Sequence, residues 1–255
     1  MHLQTSKADD ARPTLLLTSG PTREPIDAVR YLGNRSSGRM GAAIADAAAE
    51  QGWHVIALVG EQAVLPEHPG VEVHRFESTA DLEAALAEHL ARADTLVMAA
   101  AVADYRPAPA STDLNGKMRR RKGFAIDLEP TPDLLEGCSR SPDRPRLLVG
   151  FALEPAEALL ASASNKLVRK GLDLIVANPL ETMDSPDVDA TLLGTAATAH
   201  PDPGTSPGIM SKRAFASWLI EQLTGELASG AGATVPGVRS GTVSQSAGEQ
   251  ETRDA

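Results

Sequence analysis

The sequence predicts an α/β protein: a Rossmann-like, mostly parallel sheet with helices on both faces. Three observations carry that expectation. Apolar runs with little alternation recur along the chain (LLL, VIALV, TLVMAA, LLVGF and DLIVAN), as expected of strands covered on both faces. Helical stretches lie between several of these runs, and such alternation favours parallel strands joined by crossover helices. The first run leads through a long loop rich in Gly, Ser and Arg into an alanine-rich helix, the arrangement with which α/β proteins bind anions.

In chain order, residues 1–13 read as a flexible leader, and the folded domain spans 14–224. Thr14–Leu17 is the first strand. The loop from Thr18 toward Gly41 far exceeds the usual ~4–6 residues, and long ordered loops are commonly functional. Gly38–Gln51 follows as a helix closed by Gly52. Strands are expected at His54–Val59, Val71–Arg75, Thr95–Ala100, Leu147–Phe151 and Leu172–Ala177, and helices at Ala80–Ala93, Thr131–Cys138 and Pro155–Lys170. Met210–Leu223 reads as a last amphipathic helix with Ser211 as its N-cap. Residues 225–255, rich in Gly, Ser, Ala and Thr, read as a disordered tail.

Composition narrows the function. A hydrophobic content of 42% supports a real core, and only 3% aromatics makes that core aliphatic. The net charge of -10 argues against nucleic acid as a general partner. Cys138 is the single cysteine, so there is no disulfide framework or cysteine metal cluster, and a cytoplasmic setting fits. The chain shows no apolar signal core and no run long enough to span a membrane.

Chemistry concentrates in a few segments. In Asn34–Gly41 (NRSSGRMG), Ser36 or Ser37 can cap the helix, Gly38 permits close approach of a ligand, and Asn34 offers a neutral donor and acceptor beside an anion site. An ordinary capped helix is the competing reading. Ala99–Arg106 (AAAVADYR) follows a strand, and its small residues, Ala100 and Ala101 among them, leave room for a ligand at the sheet's carboxyl edge. There Asp104 either holds a metal ion or a hydroxyl, or is a turn residue paired with Arg106. The run Gly116–Lys122 (GKMRRRK) is a basic loop suited to a polyphosphate, or else a solvated charge run. Lys166 and Lys170, four apart, share a helix face. Either both reach phosphates or they form an exposed pair. Asn178 ends a strand, where loop polar groups often meet ligands. No Ser/His/Asp triad, HExxH or Walker A pattern is present.

Together, SGPTREPID (19–27), NRSSGRMG (34–41), AAAVADYRP (99–107), TPDLL (131–135), VGFALE (149–154) and KLVRKGLDLIVAN (166–178) resemble the phosphopantothenate–cysteine ligase (phosphopantothenoylcysteine synthetase) family. The resemblance runs from about Thr14 to Leu223. It implies a ligase of coenzyme A biosynthesis, unrelated to ATP-grasp enzymes. Its substrates would be 4'-phosphopantothenate, L-cysteine and a nucleoside triphosphate, usually CTP. The carboxylate of 4'-phosphopantothenate attacks the α-phosphate, giving an acyl-cytidylate and pyrophosphate; the cysteine amine then displaces CMP. Carried over, Asn34 and Lys117 are the catalytic residues. Asp104, Pro132, Asp133, Leu134, Leu135, Phe151, Lys166 and Lys170 contact the nucleotide, and Ser36, Ser37, Gly38, Ala100 and Ala101 lie near the phosphopantothenate. The resemblance also implies Mg²⁺ with the triphosphate, its ligands unassigned, and a homodimer.

Three departures stand out. The basic loop reads KMRR, with Arg119 and Arg120 where the family often has lysines, and a guanidinium fork is not a point charge. A D-x-N segment appears as Asp187-Val188-Asp189. No flavin-binding decarboxylase half precedes residue 14, so a stand-alone ligase without flavin is expected. Two rivals remain. An NAD(P)-binding oxidoreductase lacks its G-x-G-x-x-G here, and a non-catalytic nucleotide-binding protein on the same fold is separable only by assay.

Overall fold

The run Leu15–Leu17 lies in an inner strand of the sheet with no solvent exposure. The computed structural model describes residues 12–119, 123, 125–183, 185–201 and 204–230. In order the elements are β1 (Thr14–Ser19), β2 (Arg23–Pro25), β3 (Tyr31–Gly33), α1 (Arg39–Glu50), β4 (His54–Gly60), β5 (Val71–Phe76), α2 (Thr79–His89), β6 (Thr95–Met98) and β7 (Tyr105–Pro107). Then come β8 (Leu128–Pro130), α3 (Leu134–Arg140), β9 (Leu147–Glu154), α4 (Leu159–Arg169), β10 (Leu174–Pro179), β11 (Asp187–Val188), β12 (Thr191–Gly194), β13 (Met210–Ser211) and α5 (Lys212–Ser229).

Seven strands form the main sheet in the order β12-β10-β9-β6-β1-β4-β5. Every pairing is parallel except β12 against β10. The expected fold is therefore the observed one. The alternation of side chains along each strand sorts the core into two layers. Leu16, Ile56, Leu96, Leu148 and Ile175 pack with Leu82 of α2, Leu135 of α3 and Leu167 of α4. Leu15, Leu17, Val55, Val97, Val149 and Val176 pack on the other face with Ile44 of α1 and Phe215 and Leu219 of α5. Full burial of each such side chain contributes roughly 1.5–3 kcal/mol, so aliphatic packing on both faces holds the sheet.

Several boundaries differ from expectation. The edge strand β12, a four-residue TLLG segment, was not expected. The long loop after β1 holds the β2–β3 hairpin, and β7 and β8 form a second hairpin. The strand expected at Thr95–Ala100 ends at Met98, and β9 continues to Glu154. Ser211 does cap the last helix, accepting from the Ala214 amide at 3.2 Å. That helix runs to Ser229, so residues 225–229 are helical rather than part of a tail. Buried Leu223 and the contact of Leu227 with the core explain the extension. Residues 1–11 of the expected leader and 231–255 of the expected tail lie outside the described residues.

Candidate functional site

The carboxyl ends of parallel strands leave a crevice where helices diverge, and here the loops after β1, β6 and β10 and the end of β9 line a cavity of about 850 Å³. Its floor is built of small residues. Ala99–Ala103 follow β6, and Phe151 and Ala152 of β9 lie beside them. Small side chains leave room for a ligand against the sheet.

One wall is the start of α1. Its N-cap is Gly38, with φ 75° and no side-chain cap. Neither Ser36 nor Ser37 caps this helix, contrary to expectation. The loop–helix junction needs the left-handed backbone that glycine adopts freely, and a Cβ at Gly38 would come within 2.7 Å of Ala63 Cβ. Ser19 at the end of β1 donates its hydroxyl to the Gly38 carbonyl at 3.0 Å. A Cβ at Gly41 would overlap the Ser19 hydroxyl, so α1 can approach β1 this closely only with glycine there. The first-turn residues Arg39–Gly41 face the cavity, as do Ser36 and Ser37. Helix-start N–H groups without a side-chain cap suit an anion.

Asn34 ties this loop to the loop after β6. Its Nδ2 donates to the carbonyls of Val102 at 2.9 Å and Ala101 at 3.4 Å. Only an NH₂ group can serve two carbonyls, so these bonds fix which way the amide points. The acceptor Oδ1 is the atom left for a ligand.

The opposite wall carries the lysines. Lys166 of α4 donates to the Phe151 carbonyl at 2.6 Å. Burial and the neighbouring charge of Lys170 push its pKa below the ordinary lysine value. Lys170, the C-cap of α4, pairs with Asp133 at 2.6 Å. Asp133 also caps α3, accepting from the Glu136 amide at 3.1 Å. Burial raises its pKa, but the hydrogen bonds from Lys170 and Glu136 and the nearby positive charges outweigh that and lower it. The two lysines are therefore part of a cavity wall rather than an exposed pair. Pro132, Leu134 and Leu135 continue this wall.

The cavity thus gathers Asn34, Ser36, Ser37, Gly38, Ala100, Ala101, Asp104, Pro132, Asp133, Leu134, Leu135, Phe151, Lys166 and Lys170. Lys117 is not among its lining residues. It is exposed on a loop docked to the turn after β2. There Asp27 accepts from the Met118 amide at 3.1 Å, and Ala28 donates to the Gly116 carbonyl at 3.0 Å. Arg120, Arg121 and Lys122 of the basic loop lie outside the described residues. Asp104 does not pair with Arg106, whose guanidinium holds Glu129 at 2.7 Å across the β7–β8 hairpin.

Sequence reasoning left several lining residues unassigned: Arg35, Arg39, Glu154, Thr182, Met183 and Lys212. The two arginines flank the serines already noted. Lys212 had no local signal, because only the topology brings the start of α5 to this edge. Asn178, ambiguous in sequence, lines the cavity and accepts from the Thr182 hydroxyl at 2.9 Å. In total five cationic side chains line the cavity against three carboxylates. In a chain of net charge -10, that local reversal of charge suits an anion. Among the described residues no helix is long and apolar enough to cross a membrane.

Comparison with known proteins places the chain in a family. Residues 11–226 match the family model described as the DNA/pantothenate metabolism flavoprotein C-terminal domain. The chain is 42% identical over 194 residues to the coenzyme A biosynthesis bifunctional protein CoaBC of Mycobacterium bovis, covering 71% of this chain and 45% of that protein. It is 38% identical over 165 residues to the protein of the same name from Escherichia coli K12, covering 64% and 40%. The chain therefore spans less than half the length of these relatives. The crystal structure of the C-terminal domain of a CoaBC protein superposes with a TM-score of 0.66 at 32% identity, covering 85% of this chain and 96% of that one. The chain belongs to the family of the DNA/pantothenate metabolism flavoprotein C-terminal domain, the phosphopantothenate–cysteine ligase family that its motifs resemble.

Proposed function

We propose that this protein joins 4'-phosphopantothenate to L-cysteine through an acyl-nucleotide intermediate, with CTP as the activating nucleotide. The observation that carries the reading is the cavity itself, which assembles five of the six family motifs around five cations. The carboxylate oxygen of 4'-phosphopantothenate attacks the α-phosphorus and pyrophosphate departs. The cysteine amine then attacks the acyl carbon, CMP leaves with the former carboxylate oxygen, and the amine loses its proton. Both steps gather negative charge on phosphate or carbonyl oxygens, so preorganised donors and cations are the effective catalysts. Lys166 and Lys170 serve the nucleotide phosphates, and the start of α1 with Arg39 serves the phosphopantothenate. Asn34 Oδ1, its amide held by two carbonyls, is an acceptor for the incoming amine.

Mg²⁺ enters with the triphosphate. Hard oxygen donors suit it, and of the three cavity carboxylates Asp133 is engaged by Lys170, which leaves Asp104 and Glu154. Such an ion would shield the phosphate charges. A homodimer is supported by apolar side chains exposed on and beside the two small hairpins, including Tyr31, Leu32, Tyr105, Leu114 and Leu128. Lys117 keeps the role of stabilising phosphate charge on the strength of its motif alone.

An NAD(P) oxidoreductase fits less well, because a hairpin occupies the connection between β1 and α1 where dinucleotide folds have a tight glycine turn. The deciding experiment incubates the protein with Mg²⁺, 4'-phosphopantothenate, cysteine and either CTP or ATP. Cysteine amide formed with CMP supports the proposal. AMP in its place keeps the ligase and overturns CTP, and no amide from a folded sample overturns the ligase.

A further inference from the structure

Glu72 and His74 project from one face of β5, the strand at the sheet edge remote from the cavity, two residues apart. His89, in the last turn of α2, meets them there. One ligand atom from each lies within 4.8 Å of the others. The imidazole rings of His74 and His89 are 4.4 Å apart between centroids, and His74 Nε2 is 2.8 Å from Glu72 Oε1. His89 is buried, while the other two are half-exposed. The cluster therefore has a fixed base and an open mouth. None of the three lines the large cavity.

We infer that Glu72, His74 and His89 form a binding site for a borderline divalent transition-metal ion such as Zn²⁺. Two imidazole nitrogens and one carboxylate oxygen are a donor set that Zn²⁺ accepts with its fourth position open to water. Tetrahedral donors at about 2.0–2.2 Å from zinc stand roughly 3.4 Å apart, so rotation of the two half-exposed side chains closes the set around the buried His89. Neither Mg²⁺ nor Ca²⁺ suits it, since both prefer oxygen donors. The bound ion would pin the end of α2 to the sheet edge, a structural role separate from the ligase chemistry.

Arg92 is the competitor. Its guanidinium lies 3.1 Å from Glu72 Oε2 and 3.2 Å from His89 Nδ1, and about half of its side chain is exposed. An ion entering the cluster displaces this cation toward solvent, so removing the cation should tighten metal binding. That consequence separates a metal site from a salt-bridge cluster.

The test is titration of the chelator-treated full chain with Zn²⁺ by calorimetry, with thermal melting as a second readout. One ion per chain is expected at this site, with a rise in melting temperature. Glu72→Gln and His74→Gln should each weaken binding by about tenfold or more, the scale on which even outer-shell partners of a metal matter. Arg92→Gln should strengthen it. His89 is left intact because it is buried. Binding that is unchanged in both weakening variants, or weaker in Arg92→Gln, would overturn the site, as would a wild-type chain that takes up no Zn²⁺. Circular dichroism confirms that each variant is folded.

Discussion

Nζ of Lys170 lies 2.6 Å from Oδ2 of Asp133, joining the C-cap of α4 to the N-cap of α3. One carboxylate thus caps a helix and orients a lysine that lines the cavity. Lys170→Gln should raise the nucleotide KM at least about tenfold, roughly 1.4 kcal/mol, and leave the fold intact. Asp133→Ala should also lose its cap, at about 1 kcal/mol. Steady-state kinetics beside thermal melts check both. A normal KM in Lys170→Gln would remove the lysine from the nucleotide site.

Asn34 binds the loop after β6 through its Nδ2 and lines the cavity. Asn34→Asp turns a donor into an acceptor facing two carbonyls, yet leaves the lysine wall untouched. Nucleotide activation should survive while amide formation slows, and acyl-nucleotide should accumulate in rapid-quench samples. An unchanged overall rate would sink this role.

Lys166 carries its amine at the half-buried Phe151 carbonyl beside a second lysine. Its folded pKa lies below the ordinary 10.5, so in the window between the two values the unfolded chain binds more protons. Stability contributed by this group therefore rises as pH climbs through that window. Lys166→Met should abolish that rise and keep or raise the melting temperature at neutral pH, with nucleotide affinity falling about tenfold or more. Melts across alkaline pH, paired with nucleotide titration, separate the two effects. A variant with lower melting temperature and unchanged affinity would make Lys166 purely structural.

Asp27 has a fully buried side chain. The Arg30 hydrogen bond, against a smaller opposing effect of burial, holds its pKa far below the usual 3.8, with help from the Val29, Arg30 and Met118 amides. A carboxyl depressed on folding contributes stability above its unfolded value and loses it as pH falls through that value. Asp27→Asn should therefore be less stable than wild type at pH 7, with the gap closing below about pH 4. Because Met118 adjoins Lys117, the variant should also lower kcat. Melting curves that keep a constant gap down to pH 2 would contradict the assignment.

Much of this was legible in the residues. The uninterrupted apolar runs specified strands buried on both faces, and Asn34, Lys166 and Lys170 were placed at one site by motif. What failed was set by tertiary context. Serine propensity pointed to Ser36 or Ser37 as the cap, but backbone conformation and the proximity of Ala63 demand Gly38. The strand β12 is short and leans on β10 for its identity, so no local pattern announced it. The end of α5 looked polar, yet Glu226 is buried and accepts from the Ala199 amide at 2.7 Å. Lys212 reaches the cavity only because α5 packs beside α1 on one face of the sheet.

The most direct test of the acyl-nucleotide pathway uses 4'-phosphopantothenate labelled with ¹⁸O in its carboxylate, together with CTP, Mg²⁺ and cysteine. If the carboxylate attacks the α-phosphorus, one labelled oxygen leaves in CMP, visible by mass spectrometry, and pyrophosphate stays unlabelled. Label in inorganic phosphate with release of CDP would show attack at the γ-phosphorus instead, and would contradict the proposed arrangement of the nucleotide against Lys166 and Lys170.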